Sequence, residues 1–125
     1  MLGVGLTPLG WLTLIGEDAS DFANLAVPLD RQLGPSGSAI HAQLFEARGD
    51  AERVAILDTI LNARPASHSG YCGLAVQVQQ ALLSGTVDHV GDLAEQLGIE
   101  QRTLHRVCTA VFGFPPMRLL RRQRF

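Results

Sequence analysis

The sequence predicts a mainly α fold: a bundle of six to eight short helices ending in a helix-turn-helix, with residues 3–7 as a candidate short strand. Three observations predict it. Apolar residues recur every three or four positions through most of the chain, the period of a helix face. Glycine, proline and serine–asparagine–aspartate punctuation limits each periodic run to about a dozen residues. Residues 3–7 (Gly-Val-Gly-Leu-Thr) are the only stretch read as a strand.

The elements follow in order. Pro8 is placed to start a short apolar helix reaching about Ile15, because its fixed φ suits the first helical position. Residues 17–35 carry Asp18, Ser20, Pro28, Gly34 and Pro35, so only short helical turns fit there. Ser36–Arg48 sets Ile40, Leu44 and Ala47 at helical spacing, and Gly49-Asp50 offers a stop and a new cap. Residues 51–63 put Val54, Leu57 and Leu61 on one face, widened by Ile56 and Ile60, the pattern of an amphipathic helix. Arg64 to Gly70 has linker composition. A helix is expected over 71–83, with Leu74, Val78, Ala81 and Leu82 inward, ended by Ser84-Gly85. Three more helical segments cover 89–97, 100–112 and 116–125. The expected organisation is a helical region 1–64, a linker 65–70 and a second region 71–125.

Composition bounds the function. The chain has 125 residues, 46% hydrophobic and 18% charged, enough to form a core. No apolar run approaches the ~18 residues of a membrane span, so no membrane association is expected. Residues 1–16 contain no lysine or arginine and are broken by Pro8, which does not fit a secretory signal. Cys72 and Cys108 are too few for a disulfide scaffold, and a cytoplasmic location is expected. All ten basic residues are arginine. Residues 101–125 hold six of them and no acid, a charge of +6; residues 1–100 hold four against twelve acids, a charge of −8, giving the net −2. A cationic C-terminal quarter points to an anionic partner, although a solvated arginine-rich helix would carry the same charge.

Residues 90–107 are the most informative. Val90, Leu93, Ala94 and Leu97 form one stripe; Leu104, Val107 and Val111 form a second. Between them lies a three-residue turn containing Gly98. Two short helices joined in this way read as a helix-turn-helix of the homeodomain-like kind, or as an αα-hairpin of some other helical protein. Small Ala94 lets the second helix cross closely, Gly98 permits positive φ at the corner, and Leu93, Leu97, Ile99, Leu104 and Val107 fill the wedge. That leaves Gln101, Arg102, His105 and Arg106 outward, as a recognition helix would offer them to a major groove.

The run Val90–Phe125 resembles the first helix-turn-helix of AraC/XylS-type transcription regulators. Gly113 matches the glycine after the recognition helix, and Pro115–Arg124 matches the following turn and arginine-rich linker helix. Less specifically, Gly3–Arg64 resembles the end of the sensor domain in one subgroup: a last strand, a Pro-Leu-Gly helix, Val27-Pro28-Leu29 and two helices. The resemblance implies sequence-specific binding to double-stranded DNA and a second helix-turn-helix beyond the linker helix. The chain stops before one, so a fragment of a longer regulator is expected. By position, the resemblance implies base reading by Arg102, His105 and Arg106, and phosphate contacts or linker-helix surface for Arg118, Arg121 and Arg122. Two departures stand out. Glu100 occupies the cap where the family often has serine, and Cys108 stands where it usually has a core phenylalanine, with Phe112 or Phe114 expected to compensate.

Two other classes compete with DNA binding. The histidines are His41, His68, His89 and His105. His105 and Cys108, three apart, could share a metal, and His68 with Cys72 could activate a thiol, but no second ligand pair, nucleophile elbow or phosphate loop supports chemistry. No enzyme activity, metal or cofactor is expected. The other rival is a helical interaction module. The N-terminal run with Leu2, Leu6, Leu9, Trp11, Leu12, Leu14 and Ile15 would either self-associate into a homodimer or fold back on the helices at 37–63.

Overall fold

The computed structural model describes residues 3–33, 36–63 and 70–123. They are mainly helical and contain no strand. Residues 3–7 are irregular, correcting the expected strand. Gly3 and Gly5 weaken a strand from within, and a lone strand finds no partner among the described residues to satisfy its backbone.

The chain forms two compact units: residues 1–24 with 67–125, and residues 25–66. This differs from the expected division, in which 1–64 stood together. The expected linker 65–70 lies outside the described residues except for Gly70.

The larger unit contains α1 (Pro8–Leu14), a 3-10 turn (Ala19–Asp21), α5 (Cys72–Ser84), α6 (Val90–Leu97), α7 (Gln101–Val107), a π-helical segment (Cys108–Phe112) and α8 (Pro116–Gln123). α1 begins as the sequence dictates. Thr7 caps it, its hydroxyl accepting from Gly10 N–H at 3.0 Å, and Pro8 sits at the first position. It buries Leu12 in a core shared with Val78, Leu93, Leu104, Val107 and Leu120. Trp11 donates its indole N–H to the Glu17 carbonyl at 2.7 Å and meets Phe22 with ring centroids 5.4 Å apart. The sequence reading offered self-association or packing on 37–63 for this segment; what α1 packs on is α5 and residues 108–112.

α5 buries Ala75, Val78, Ala81 and Leu82, with Leu74 half-buried, and ends at Gly85 in the left-handed region, φ 65°. The helix expected over 100–112 is α7 followed by a widened π turn. Thr109 donates to the carbonyls of His105 and Arg106 at 3.0 and 3.1 Å, a side-chain competition that accompanies irregular helical turns. Gly113 then turns the chain with φ 82°. A Cβ there would lie 3.1 Å from the Ala19 carbonyl oxygen, so the 3-10 turn seats on a corner that only glycine keeps open.

The smaller unit contains α2 (Leu29–Leu33), α3 (Ser36–Glu46) and α4 (Asp50–Ala63). α3 closes on α2 at Gly37, where a Cβ would stand 2.5 Å from the Asp30 carboxylate. Ser38 donates to that carboxylate at 3.0 Å. Ile40 and Leu44 are buried. Arg53 ties α4 to α3 by donating to the Leu44 carbonyl at 3.1 Å, and within α4 it pairs with Asp50 at 2.9 Å. α4 buries none of its residues, and Val54 is 56% exposed, so the amphipathic pattern forms a helix without forming a core.

Candidate nucleic-acid interface

The site is built on α6 and α7. α6 ends at Leu97, and Gly98 takes φ 67°. Gly98 N–H donates to the Glu95 carbonyl at 3.1 Å and Ile99 N–H to the Ala94 carbonyl at 3.0 Å. This crossed pair is a Schellman closure, and it requires the left-handed residue that glycine supplies without strain. Glu100 caps α7 with extended backbone but no side-chain hydrogen bond; its charge still suits a helix N-terminus. The first α7 hydrogen bond runs from Leu104 N–H to the Glu100 carbonyl at 3.0 Å.

The wedge between the helices is apolar. Leu93, Leu104 and Val107 are wholly buried; Leu97 and Ile99 are half-buried. Because α7 spends Leu104 and Val107 inward, helical periodicity drives Gln101, Arg102, His105 and Arg106 outward, and all four are exposed. Gln101 leans back on α6: a Cβ at Gly91 would come within 3.3 Å of its side-chain nitrogen.

The second cationic group lies on α8, which packs against α5 and α6 through buried Leu120. Arg118, Arg121 and Arg122 are exposed. Arg121 lines a shallow cleft with Asp88, His89, Met117 and Leu120. Arg118 and Arg122 lie over the ring of Phe114, their guanidinium carbons 4.5 and 4.3 Å from its centroid. None of the five arginines on α7 and α8 has an ion-pair partner among the described residues. The structure therefore brings the seven expected residues to two exposed helical surfaces, four on α7 and three on α8.

The departure at Cys108 resolves as packing. The side chain is wholly buried in the core, and burial pushes its thiol up to about 12, since desolvation disfavours the thiolate. Burial thus keeps the thiol protonated at neutral pH. Phe112 packs against the core beside it, while Phe114 serves the arginines instead. Among the described residues no three His, Cys, Asp or Glu groups gather as metal ligands; His68 lies outside them. Phe114 is the residue that sequence reasoning assigned only to packing. The signal was its spacing, four and eight positions before Arg118 and Arg122, although Phe114 itself lies in the bend ahead of α8.

No family model, curated protein or solved structure matches this chain. Its own geometry and chemistry carry the functional argument.

Proposed function

We propose that this chain binds double-stranded DNA as part of a transcription regulator, with α6 and α7 acting as a helix-turn-helix and α7 as its recognition helix. The observation that carries the reading is the outer face of α7: Gln101, Arg102, His105 and Arg106 exposed on one short helix, with neither arginine neutralised by an acid among the described residues. An arginine at groove depth reads guanine through O6 and N7 together. Arg118, Arg121 and Arg122 supply the phosphate contacts that hold register without reading sequence. The likeness of 90–125 to the first helix-turn-helix of AraC/XylS-type regulators supports the same assignment, as does the +6 charge of residues 101–125.

The test is a fluorescence-anisotropy titration of the 125-residue chain with mixed-sequence duplex at two salt concentrations. One recognition helix offers few base contacts, so binding is expected in the non-specific range, Kd on the order of 10⁻⁴–10⁻⁶ M at physiological salt, weakening steeply as salt rises. Absence of binding at low salt overturns the reading. It would favour a helical interaction or dimerisation module, for which exposed Phe45 and Val54 on α3 and α4 provide apolar surface.

A further inference from the structure

The three α8 arginines are not equivalent. Arg121 lines a cleft of mixed chemistry, whereas Arg118 and Arg122 lie over one aromatic ring. They stand four residues apart, so they share a helix face and repel each other. No acid occurs anywhere in 101–125, and neither has an ion-pair partner among the described residues. The negative face of the Phe114 ring attracts both cations. That attraction needs no hydrogen-bond acceptor, and neither guanidinium donates a hydrogen bond among the described residues. Two flat, fully charged donors gathered at one ring, with their hydrogen-bonding capacity intact, suit a tetrahedral oxyanion that can accept paired N–H···O bonds. An anion there also relieves the repulsion between them.

We infer that Phe114 is a positioning residue that holds Arg118 and Arg122 as a paired site for phosphate groups, supplied by the backbone of duplex DNA. Only the source of the phosphate rests on the proposed function; the paired site itself does not. The ring restricts two long, rotamer-rich side chains before the ligand arrives, which lowers the ordering cost of binding.

Wild type, Phe114→Leu and Phe114→Tyr separate the two statements. In the first arm, arginine Nε–Hε resonances are followed by NMR without DNA. Ring-current shifts should move the Arg118 and Arg122 signals upfield of Arg121 in wild type and Phe114→Tyr, and not in Phe114→Leu. Inorganic phosphate should then perturb Arg118 and Arg122 together. Arginine signals without a ring shift, or indifferent to phosphate, overturn the paired site. In the second arm, Phe114→Leu should bind mixed-sequence duplex about three- to tenfold more weakly than wild type, by the same factor on every sequence. Its salt slope should be shallower by about one to two phosphate contacts, with Phe114→Tyr restoring both.

If wild type binds duplex and Phe114→Leu matches it in affinity and slope, the inference fails while the functional reading stands. If phosphate moves the two arginines but no duplex binds, the paired site stands and the functional reading fails. Should Phe114→Leu melt early, Arg118→Gln and Arg122→Gln, singly and together, replace it. A non-additive loss of salt slope supports the pair, and an additive loss overturns it.

Discussion

Two helix pairs in this chain start from similar sequence patterns and end differently. α6 with α7 buries Leu93, Leu104 and Val107 completely; among the described residues the large apolar side chains that α3 with α4 buries are Ile40 and Leu44, both on α3. Their corners differ as well. The first is closed by backbone hydrogen bonds around Gly98. The second is held by charged side chains, Arg48 N–H donating to the Glu52 carboxylate at 2.9 Å and Arg53 reaching back to Leu44. The first pair also has third parties, since α5 and α8 both pack on α6. An apolar stripe shows which face a helix can bury. A partner with a matching face decides whether it does.

The largest expected effect breaks this comparison at its core. Leu104→Ala should lose about 2–5 kcal/mol of stability, because a wholly buried leucine leaves a cavity. Leu57→Ala on α4, only half-buried, should lose well under half as much. Urea unfolding of both variants measures the contrast, and equal losses would remove it.

The corners come next. Gly98→Val forces a β-branched residue to φ near 67° and should cost about 1–3 kcal/mol. Gly49 has no positive φ and no heavy atom within 4 Å of a Cβ, so Gly49→Val should be far milder. Equal melting temperatures for the two would refute the assigned corner.

On the outer face of α7, Arg102→Ala and Arg106→Ala should leave folding intact. Each should lose about 1–3 kcal/mol of specific DNA affinity, concentrated at particular base pairs. Under the proposed function, titrations with a duplex selected for tight binding check this, and unchanged affinity in both variants would sink the proposed recognition face.

Cys108 gives a pH signature. Its folded pKa is raised from 9.0 to about 12, so above pH 9 the unfolded chain releases this proton first and stability falls as pH rises. The loss attributable to Cys108 between pH 9 and 10 should be on the order of 1 kcal/mol, absent in Cys108→Val. The effect is none at neutral pH, where both states hold the proton. Smallest of all, Val54→Ser on exposed α4 should change stability by less than about 0.5 kcal/mol.

Much of the α6–α7 arrangement was legible in the sequence because it is local. Three- and four-residue spacing fixes which side chains face inward, and a glycine at the end of the first stripe marks the corner. The outward positions of Gln101, Arg102, His105 and Arg106 follow from the same count. What was not legible depends on contacts distant in sequence. Nothing near Leu12 announces α5 or residues 108–112 as its neighbours, and nothing in 51–63 says that α4 buries none of its stripe among the described residues. The π turn at 108–112 coincides with a threonine hydroxyl bonded to the His105 and Arg106 carbonyls, a local detail that apolar spacing does not encode. The Phe114 ring was legible as spacing, but its use by two arginines rather than by the core was decided in three dimensions.

The seat of Ala19 against Gly113 also has a consequence in time. On the ribosome the chain emerges from its N-terminus, so residues 1–24 appear long before the 108–113 segment that they pack against. At about 5–20 residues per second, Leu12 waits several seconds or more for its core partners, while α2, α3 and α4 can form from wholly local contacts. The larger unit is thus finished last and from both ends of the chain. The intervening segment from 25 to 66 is a closed excursion whose lengthening adds only slowly to the entropy of closure.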